Sequence, residues 1–145
     1  METPKRILIS YQNTCDAEEV GKLITYLKEA GFDVQHGNFS NSDFDKIVDE
    51  VESYVCILDQ NSHRSTDLAR EIIKAAKAGK KVFAIYCPTT DIEIQLPSSL
   101  DICATAITEW DAEKLRKGLN GEDIGFSDQK GQQKPLSRST KPPKC

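Results

Sequence analysis

The chain has 145 residues, of which 38% are hydrophobic and 29% are charged, so it is long enough to fold as one domain with its own core. A formal net charge of -4 and the lack of a basic face argue against nucleic acid as a partner. No apolar run approaches the length of a membrane-spanning helix and the first residues lack a signal-peptide core, which together predict a cytoplasmic protein without a membrane partner.

The first part of the chain predicts alternating strands and helices. Residues 6–11 form a short apolar strand, and a helix follows that is capped by Asp16 and ends at Gly31. Residues 32–35 alternate apolar and polar side chains, which is typical of a half-exposed strand. A turn-rich loop then leads into a second helix that begins near Asp43.

The remaining elements continue the alternation. They are, in chain order, an apolar strand at 54–58, a helix that contains Glu71 and ends at Gly79, a strand at 81–86, an irregular connection with a short helix near Ser98, a weaker strand at 102–107, and a closing helix capped by Asp111. This order predicts an α/β fold, a flavodoxin-like five-stranded parallel sheet in strand order 2-1-3-4-5 with helices on both faces.

Composition changes after the closing helix. The domain is predicted to occupy residues 1–120, and residues 121–145, rich in Gly, Ser, Gln, Lys and Pro, are predicted to form a disordered tail.

Glu71 is the first candidate for chemistry. It follows a polar, hydroxyl-rich loop that includes Ser65 and lies at the carboxyl edge of the predicted sheet, where open parallel sheets bind ligands. One interpretation is a solvated carboxylate favoured by the helix dipole. The other is a carboxylate that stabilises an oxocarbenium ion or binds ribose hydroxyls during cleavage of an N-glycosidic bond, by analogy with glycoside hydrolysis.

Further candidates for substrate binding follow the first two strands. Ser10, Tyr11, Gln12 and Asn13 end the first strand, where their side chains face the Glu71 loop, although Ser10 and Tyr11 are equally explained as a hydrogen-bonded strand end. His36 follows the second strand, with a solvated loop position as its alternative. Scattered cysteines without a Cys-x-x-Cys pair, and histidines without a partnering cluster, predict no metal site.

Several of these stretches resemble the conserved boxes of Toll/interleukin-1 receptor (TIR) domains. Residues 7–11, Ile-Leu-Ile-Ser-Tyr, are similar to the box that opens such domains. Residues 58–65 resemble the third-strand box, in which a glutamate follows a serine by six positions, as Glu71 follows Ser65. Residues 80–85 resemble the fourth strand, and Trp110 fits the position after the fifth.

The resemblance spans roughly residues 5–119 and implies either NAD⁺ cleavage or assembly with other TIR domains. In the enzymatic branch, the glutamate at the Glu71 position engages the nicotinamide ribose while nicotinamide leaves. The product is ADP-ribose, or a cyclic or conjugated signalling nucleotide, so NAD⁺ is a substrate and no cofactor is implied. Stand-alone bacterial TIR proteins of this size imply an anti-phage role of the Thoeris type, with a separate effector that responds to the product and with self-association through TIR surfaces.

The chain departs from the family pattern beside the glutamate. Asp67 and Leu68 replace the usual aromatic and cysteine, Gln12 replaces a frequent basic residue, and no acidic residue follows the second strand. Two alternatives therefore stay open: a non-catalytic TIR adaptor that acts by homotypic assembly, and a nucleoside deoxyribosyltransferase-like enzyme, which shares the sheet and a glutamate acting at an anomeric carbon.

Overall fold

A computed structural model describes residues 5–11, 16–88 and 93–133 of the chain. The elements are β1 (Arg6–Ser10), α1 (Ala17–Glu29), β2 (Asp33–Gly37), α2 (Asn41–Ile47), β3 (Ser53–Leu58), α3 (Thr66–Lys77), β4 (Lys81–Tyr86), α4 (Ser98–Cys103), β5 (Ala106–Thr108) and α5 (Ala112–Leu119). Short 3-10 helices at Val48–Glu50 and Ser62–Arg64 follow α2 and precede α3. Within these ranges, none of the helices has the length and apolar character needed to cross a membrane.

The five strands form one parallel sheet in the order β2-β1-β3-β4-β5, which confirms the predicted fold class. Every residue of the central strand β3 is buried, because α1 and α5 form one helix pair against the sheet and α3 and α4 form another. The chain order reverses between β1 and β3, so the crevice beyond the carboxyl ends of these two strands is the expected position of a ligand.

Side-chain caps set where the helices begin. The Asp16 and Asp111 carboxylates accept hydrogen bonds from backbone N–H groups of α1 and α5, as predicted. The second helix begins earlier than predicted, because the Ser40 hydroxyl accepts from the backbone N–H of Asp43. Ser65 caps α3 in the same way by accepting from the Leu68 N–H.

The fifth strand is shorter than predicted. The apolar run at residues 102–107 predicts a strand, but its first residues complete α4, which ends at Cys103, and only Ala106–Thr108 pair with β4. The helix is favoured because the inward-facing Leu100 is fully buried in it and because the Ala104 N–H donates to the Leu100 carbonyl. A short apolar run satisfies either periodicity, so packing decides between helix and strand.

The predicted tail begins too early. Residues 121–133 pack onto the domain: Ser127 is buried, its N–H donates to the Ile107 carbonyl at 2.8 Å, and Phe126 forms a bridge with Ile107 beside the edge strand β5. The apolar side chains of Ile124 and Phe126 pack against the core. The average composition of this polar stretch does not indicate such packing. The rest of the predicted tail, residues 134–145, lies outside the described residues.

Candidate active site

Glu71 lies on the face of α3 that packs against the sheet. The buried positions of this helix are Leu68, Glu71, Ile72 and Ala75, which recur at helical spacing, so the carboxylate belongs to the apolar stripe and only 5% of the residue is exposed. A glutamate in such a stripe is unusual because burial penalises its charge. The sequence interpretation of Glu71 as a solvated surface carboxylate is therefore wrong.

Two hydroxyl groups bind one oxygen of this carboxylate. Ser10 Oγ donates to Glu71 Oε1 at 2.7 Å, and Tyr54 Oη donates to the same atom at 2.9 Å. Among the described residues, no side chain donates a hydrogen bond to Oε2. Within the described residues, Oε2 is thus the oxygen that can still accept a hydrogen bond from a ligand.

The surroundings raise the pKa of Glu71 above its usual range. Burial is the largest cause, and the negative charge of Asp67 acts in the same direction. The hydrogen bonds from Ser10 and Tyr54 and the positive charge of Arg70 oppose it, since they favour the ionised form. Burial raises the pKa of Tyr54 well above its ordinary value, so this phenol remains a hydrogen-bond donor at neutral pH.

A cleft of about 250 Å³ opens beside the carboxylate at the carboxyl ends of β1 and β3. Its lining combines hydroxyl, amide and carboxylate groups with aromatic and aliphatic walls; the residues are Ser10, Tyr11, Asn38, Phe39, Ile57, Ser62, Asp67, Leu68 and Glu71. Two larger depressions, on the outer faces of α1 and α3, are lined by no buried residue. The smaller cleft is therefore the candidate site, since it holds the buried titratable group.

The structure brings together three of the residues predicted from sequence. Ser10, Tyr11 and Glu71 line the cleft. His36 lies behind Tyr11: its Nδ1 is 3.1 Å from the Tyr11 hydroxyl, and the two rings stack with centroids 6.1 Å apart. The His36 pKa is lowered, first by burial and then by the nearby Lys28 charge, which favours the neutral ring.

The other predicted residues are placed differently. Ser65 does not line the cleft; its hydroxyl caps α3, so the structure assigns it a role at the helix start. Gln12 and Asn13 lie outside the described residues.

Tyr54 is a site residue that the sequence pattern does not reveal, because its apolar ring suits a core strand. The available signal was its position in a parallel strand beside β1, which ends in Ser10. In the sequence, Asp67 stands out only as a departure from the family motif. Its spacing of four residues from Glu71 places both carboxylates on one face of α3, and both line the cleft.

Within the residues that the structure describes, no three or more His, Cys, Asp or Glu side chains are grouped to hold a metal ion. What the cleft offers chemically is a buried carboxylate, hydroxyl donors and apolar walls. The carboxylate can bind a cationic or electron-poor group, and the apolar walls can pack against a planar ring of the same ligand.

No protein-family model matches the chain, and no curated protein matches it. A similar solved structure is that of the TIR domains of the activated Roq1 resistosome, which directly recognizes the pathogen effector XopQ. It has 20% sequence identity to this chain and a TM-score of 0.46, and the match covers 57% of each chain. The chain thus spans little more than half of that TIR-domain chain.

Proposed function

We propose that this chain is a TIR-type enzyme that cleaves NAD⁺, with Glu71 as its catalytic carboxylate. The observation that carries the proposal is the buried glutamate that lines the cleft, with one carboxylate oxygen bound by two hydroxyl groups and no side-chain donor to the other among the described residues. Burying a carboxylate costs stability, and such a cost is typical of a functional site.

Cleavage of the bond between ribose and nicotinamide requires mainly a negative charge beside the ribose. When the bond between the ribose anomeric carbon and the nicotinamide nitrogen breaks, its electron pair stays on nitrogen and nicotinamide leaves as a neutral molecule. No general acid is needed for that departure. The positive charge that develops on the ribosyl group is stabilised by Glu71 Oε2, with Asp67 adding a second carboxylate on the same wall of the cleft. Water then gives ADP-ribose, and another hydroxyl or ring nitrogen gives a cyclic or conjugated product.

The size of the cleft supports a proposal in which it binds one half of the substrate. Sites for drug-sized ligands commonly enclose about 300–1,000 Å³, and this cleft encloses about 250 Å³. The nicotinamide riboside half would occupy it, with the planar ring against the aromatic walls of Tyr11 and Phe39 and the ADP half outside.

The wider biological role in the proposal rests on the sequence resemblance. A cytoplasmic enzyme of this kind would produce a signalling nucleotide during phage infection, and a separate effector would respond to it. Self-association through TIR surfaces would activate it.

A nucleoside deoxyribosyltransferase-like activity is the second candidate, because a nucleoside alone fills a cleft of this size. A neutral nucleobase is a poorer leaving group than nicotinamide and needs a proton before it departs. The two candidates differ in substrate: the first requires NAD⁺, and the second exchanges bases between free deoxynucleosides.

The test is NAD⁺ consumption with product identification by mass spectrometry, at high protein concentration and in lysates from phage-challenged cells. Wild type is compared with Glu71→Gln, and Glu50→Gln serves as the control because Glu50 is exposed. Glu71-dependent loss of NAD⁺ with release of nicotinamide supports the proposal, and the product mass names the pathway. Turnover of deoxynucleosides in place of NAD⁺ supports the second candidate. Self-association with no turnover of either substrate in wild type supports the adaptor.

A further inference from the structure

Tyr54 is held rigidly beside Glu71. No part of the residue is exposed, and its ring packs edge to face against Phe44 of α2, with centroids 5.6 Å apart and planes at 90°. Its hydroxyl donates to Glu71 Oε1. The ring is thus fixed by packing on one side, and the hydroxyl reaches the carboxylate on the other.

The second donor comes from the neighbouring strand. Ser10 ends β1, Tyr54 lies near the start of β3, and these strands pair in parallel, with Leu8 opposite Tyr54. Two adjacent strands therefore present hydroxyl groups to the same oxygen of one carboxylate. A free carboxylate can exchange its two oxygens by rotation, but this one cannot do so without breaking both hydrogen bonds.

We propose that Tyr54 is a positioning residue for the reaction assigned to Glu71: together with Ser10 it holds Oε1 against the sheet and thereby turns Oε2 toward the substrate ribose. This inference rests on the proposed function for its reaction and on the hydrogen-bond geometry for its mechanism. Under this inference Tyr54 affects the rate of the reaction, which its burial in an apolar strand alone would not require.

The same hydrogen bond affects the protonation of Glu71. The groups that face the carboxylate from the surrounding elements are the Ser10 and Tyr54 hydroxyls, the Cys56 thiol, Asp67 and Arg70. The thiol remains protonated because burial raises the pKa of Cys56. The hydroxyl donors and Arg70 lower the pKa of Glu71, and so oppose the increase caused by burial and by Asp67. Each hydrogen bond does so because it favours the carboxylate over the acid.

The test replaces Tyr54 by phenylalanine, which keeps the ring and removes the donor. Tyr86→Phe is the matched control. Tyr86 is also a buried tyrosine, it ends the adjacent strand β4, and it does not line the cleft. We expect Tyr54→Phe to lower kcat about ten- to a hundredfold, as for loss of a hydrogen bond to a charged group, with little change in KM for NAD⁺. The acid limb of its pH–rate profile moves to higher pH.

A second readout does not depend on turnover. Titration of the Glu71 side-chain carboxyl by ¹³C NMR is expected to give a higher pKa in Tyr54→Phe and in Ser10→Ala than in wild type, and an unchanged pKa in Tyr86→Phe. In an active wild type, the inference is overturned if Tyr54→Phe has the same kcat as Tyr86→Phe. With or without turnover, it is overturned if the Glu71 pKa in Tyr54→Phe equals that of wild type. If wild type cleaves no NAD⁺ while the Glu71 pKa shifts as expected, the proposed reaction fails and the hold on the carboxylate is supported.

Discussion

Replacement of Glu71 by glutamine separates the contribution of this residue to activity from its contribution to stability. Glutamine has nearly the same shape, and its amide oxygen can accept the hydrogen bonds that Ser10 and Tyr54 donate to Oε1. What it removes is the negative charge. The substitution therefore tests the charge of a residue that is 5% exposed while leaving the packing of α3 in place.

The expected loss of activity follows from the attraction between the Glu71 carboxylate and the developing ribosyl cation. At an effective dielectric constant of about 20, two opposite charges about 4 Å apart attract by roughly 4 kcal/mol. A ribosyl cation that develops beside Oε2 loses this attraction in Glu71→Gln. Since about 1.4 kcal/mol corresponds to a factor of ten, kcat for NAD⁺ cleavage is expected to fall by about a thousandfold.

The expected change in stability has the opposite sign. The folded state raises the pKa of Glu71 above 4.5, chiefly by burial. Between that ordinary value and the raised pKa, the folded protein binds more protons than the unfolded chain, so the free energy of unfolding decreases as the pH rises. At neutral pH the ionised Glu71 therefore destabilises the fold, and a neutral glutamine relieves this cost by about 0.5–2 kcal/mol, the usual size of a single stabilising substitution.

Thermal unfolding of wild type and Glu71→Gln at pH 7 and at pH 4 tests this prediction alongside the kinetics. We expect Glu71→Gln to have the higher Tm at pH 7, by about 2–4 °C per kcal/mol, and the difference to shrink at pH 4. A lower Tm for Glu71→Gln at pH 7, or the same advantage at both pH values, would refute the argument from burial. Retained NAD⁺ cleavage in a well-folded Glu71→Gln protein would refute the catalytic assignment.

Three further predictions concern pH, backbone packing and a surface ion pair. In the proposed reaction the ionised form of Glu71 is the active one; because burial raises the pKa of Glu71, kcat/KM in wild type is expected to fall on acidification through a midpoint above pH 4.5, measured by initial rates across pH. Gly21→Ala is expected to raise the free energy of unfolding by about 0.5–1 kcal/mol, because a Cβ added at this position of α1 meets nothing within 4 Å. Gly118→Ala is expected to lower the free energy of unfolding, because its Cβ would lie 2.8 Å from the Ile124 side chain and 3.2 Å from the Phe83 ring, so that both would have to shift. Urea unfolding of both variants measures the contrast, and equal effects would contradict the packing around Gly118. Asp45→Ala removes a carboxylate that accepts two hydrogen bonds from Arg70, and since both side chains are more than a third exposed, thermal unfolding is expected to show only a small decrease in Tm.

The regular elements of this protein were accessible from local patterns. Strands β3 and β4 are apolar runs buried on both faces, and helices α1, α3 and α5 have stripes of buried residues at helical spacing. These patterns depend on neighbours within one or two turns of the chain. The order of strands then followed from the short right-handed connections that parallel sheets allow.

Local patterns failed where two structures fit the same residues. The stretch at 102–107 satisfies a strand, but its first residues are used by α4, whose Leu100 fills the core. The stretch at 121–133 is polar on average. Its few apolar residues stabilise the fold only because they cover the nearby edge strand β5. Both outcomes depend on contacts between segments that the chain order does not specify.

The candidate site shows the same division. The sequence determined that a carboxylate at Glu71 follows a buried strand and lies near the end of β1, since strand and helix order alone place these ends at one edge of the sheet. Only the tertiary structure decided that this carboxylate is buried, that Ser10 and Tyr54 bind the same oxygen of it, and that Ser65 caps the helix instead of lining the cleft. The reason is physical: the direction of a side chain and the donors it meets depend on the registration of β1, β3 and α3, which distant parts of the chain set together by packing.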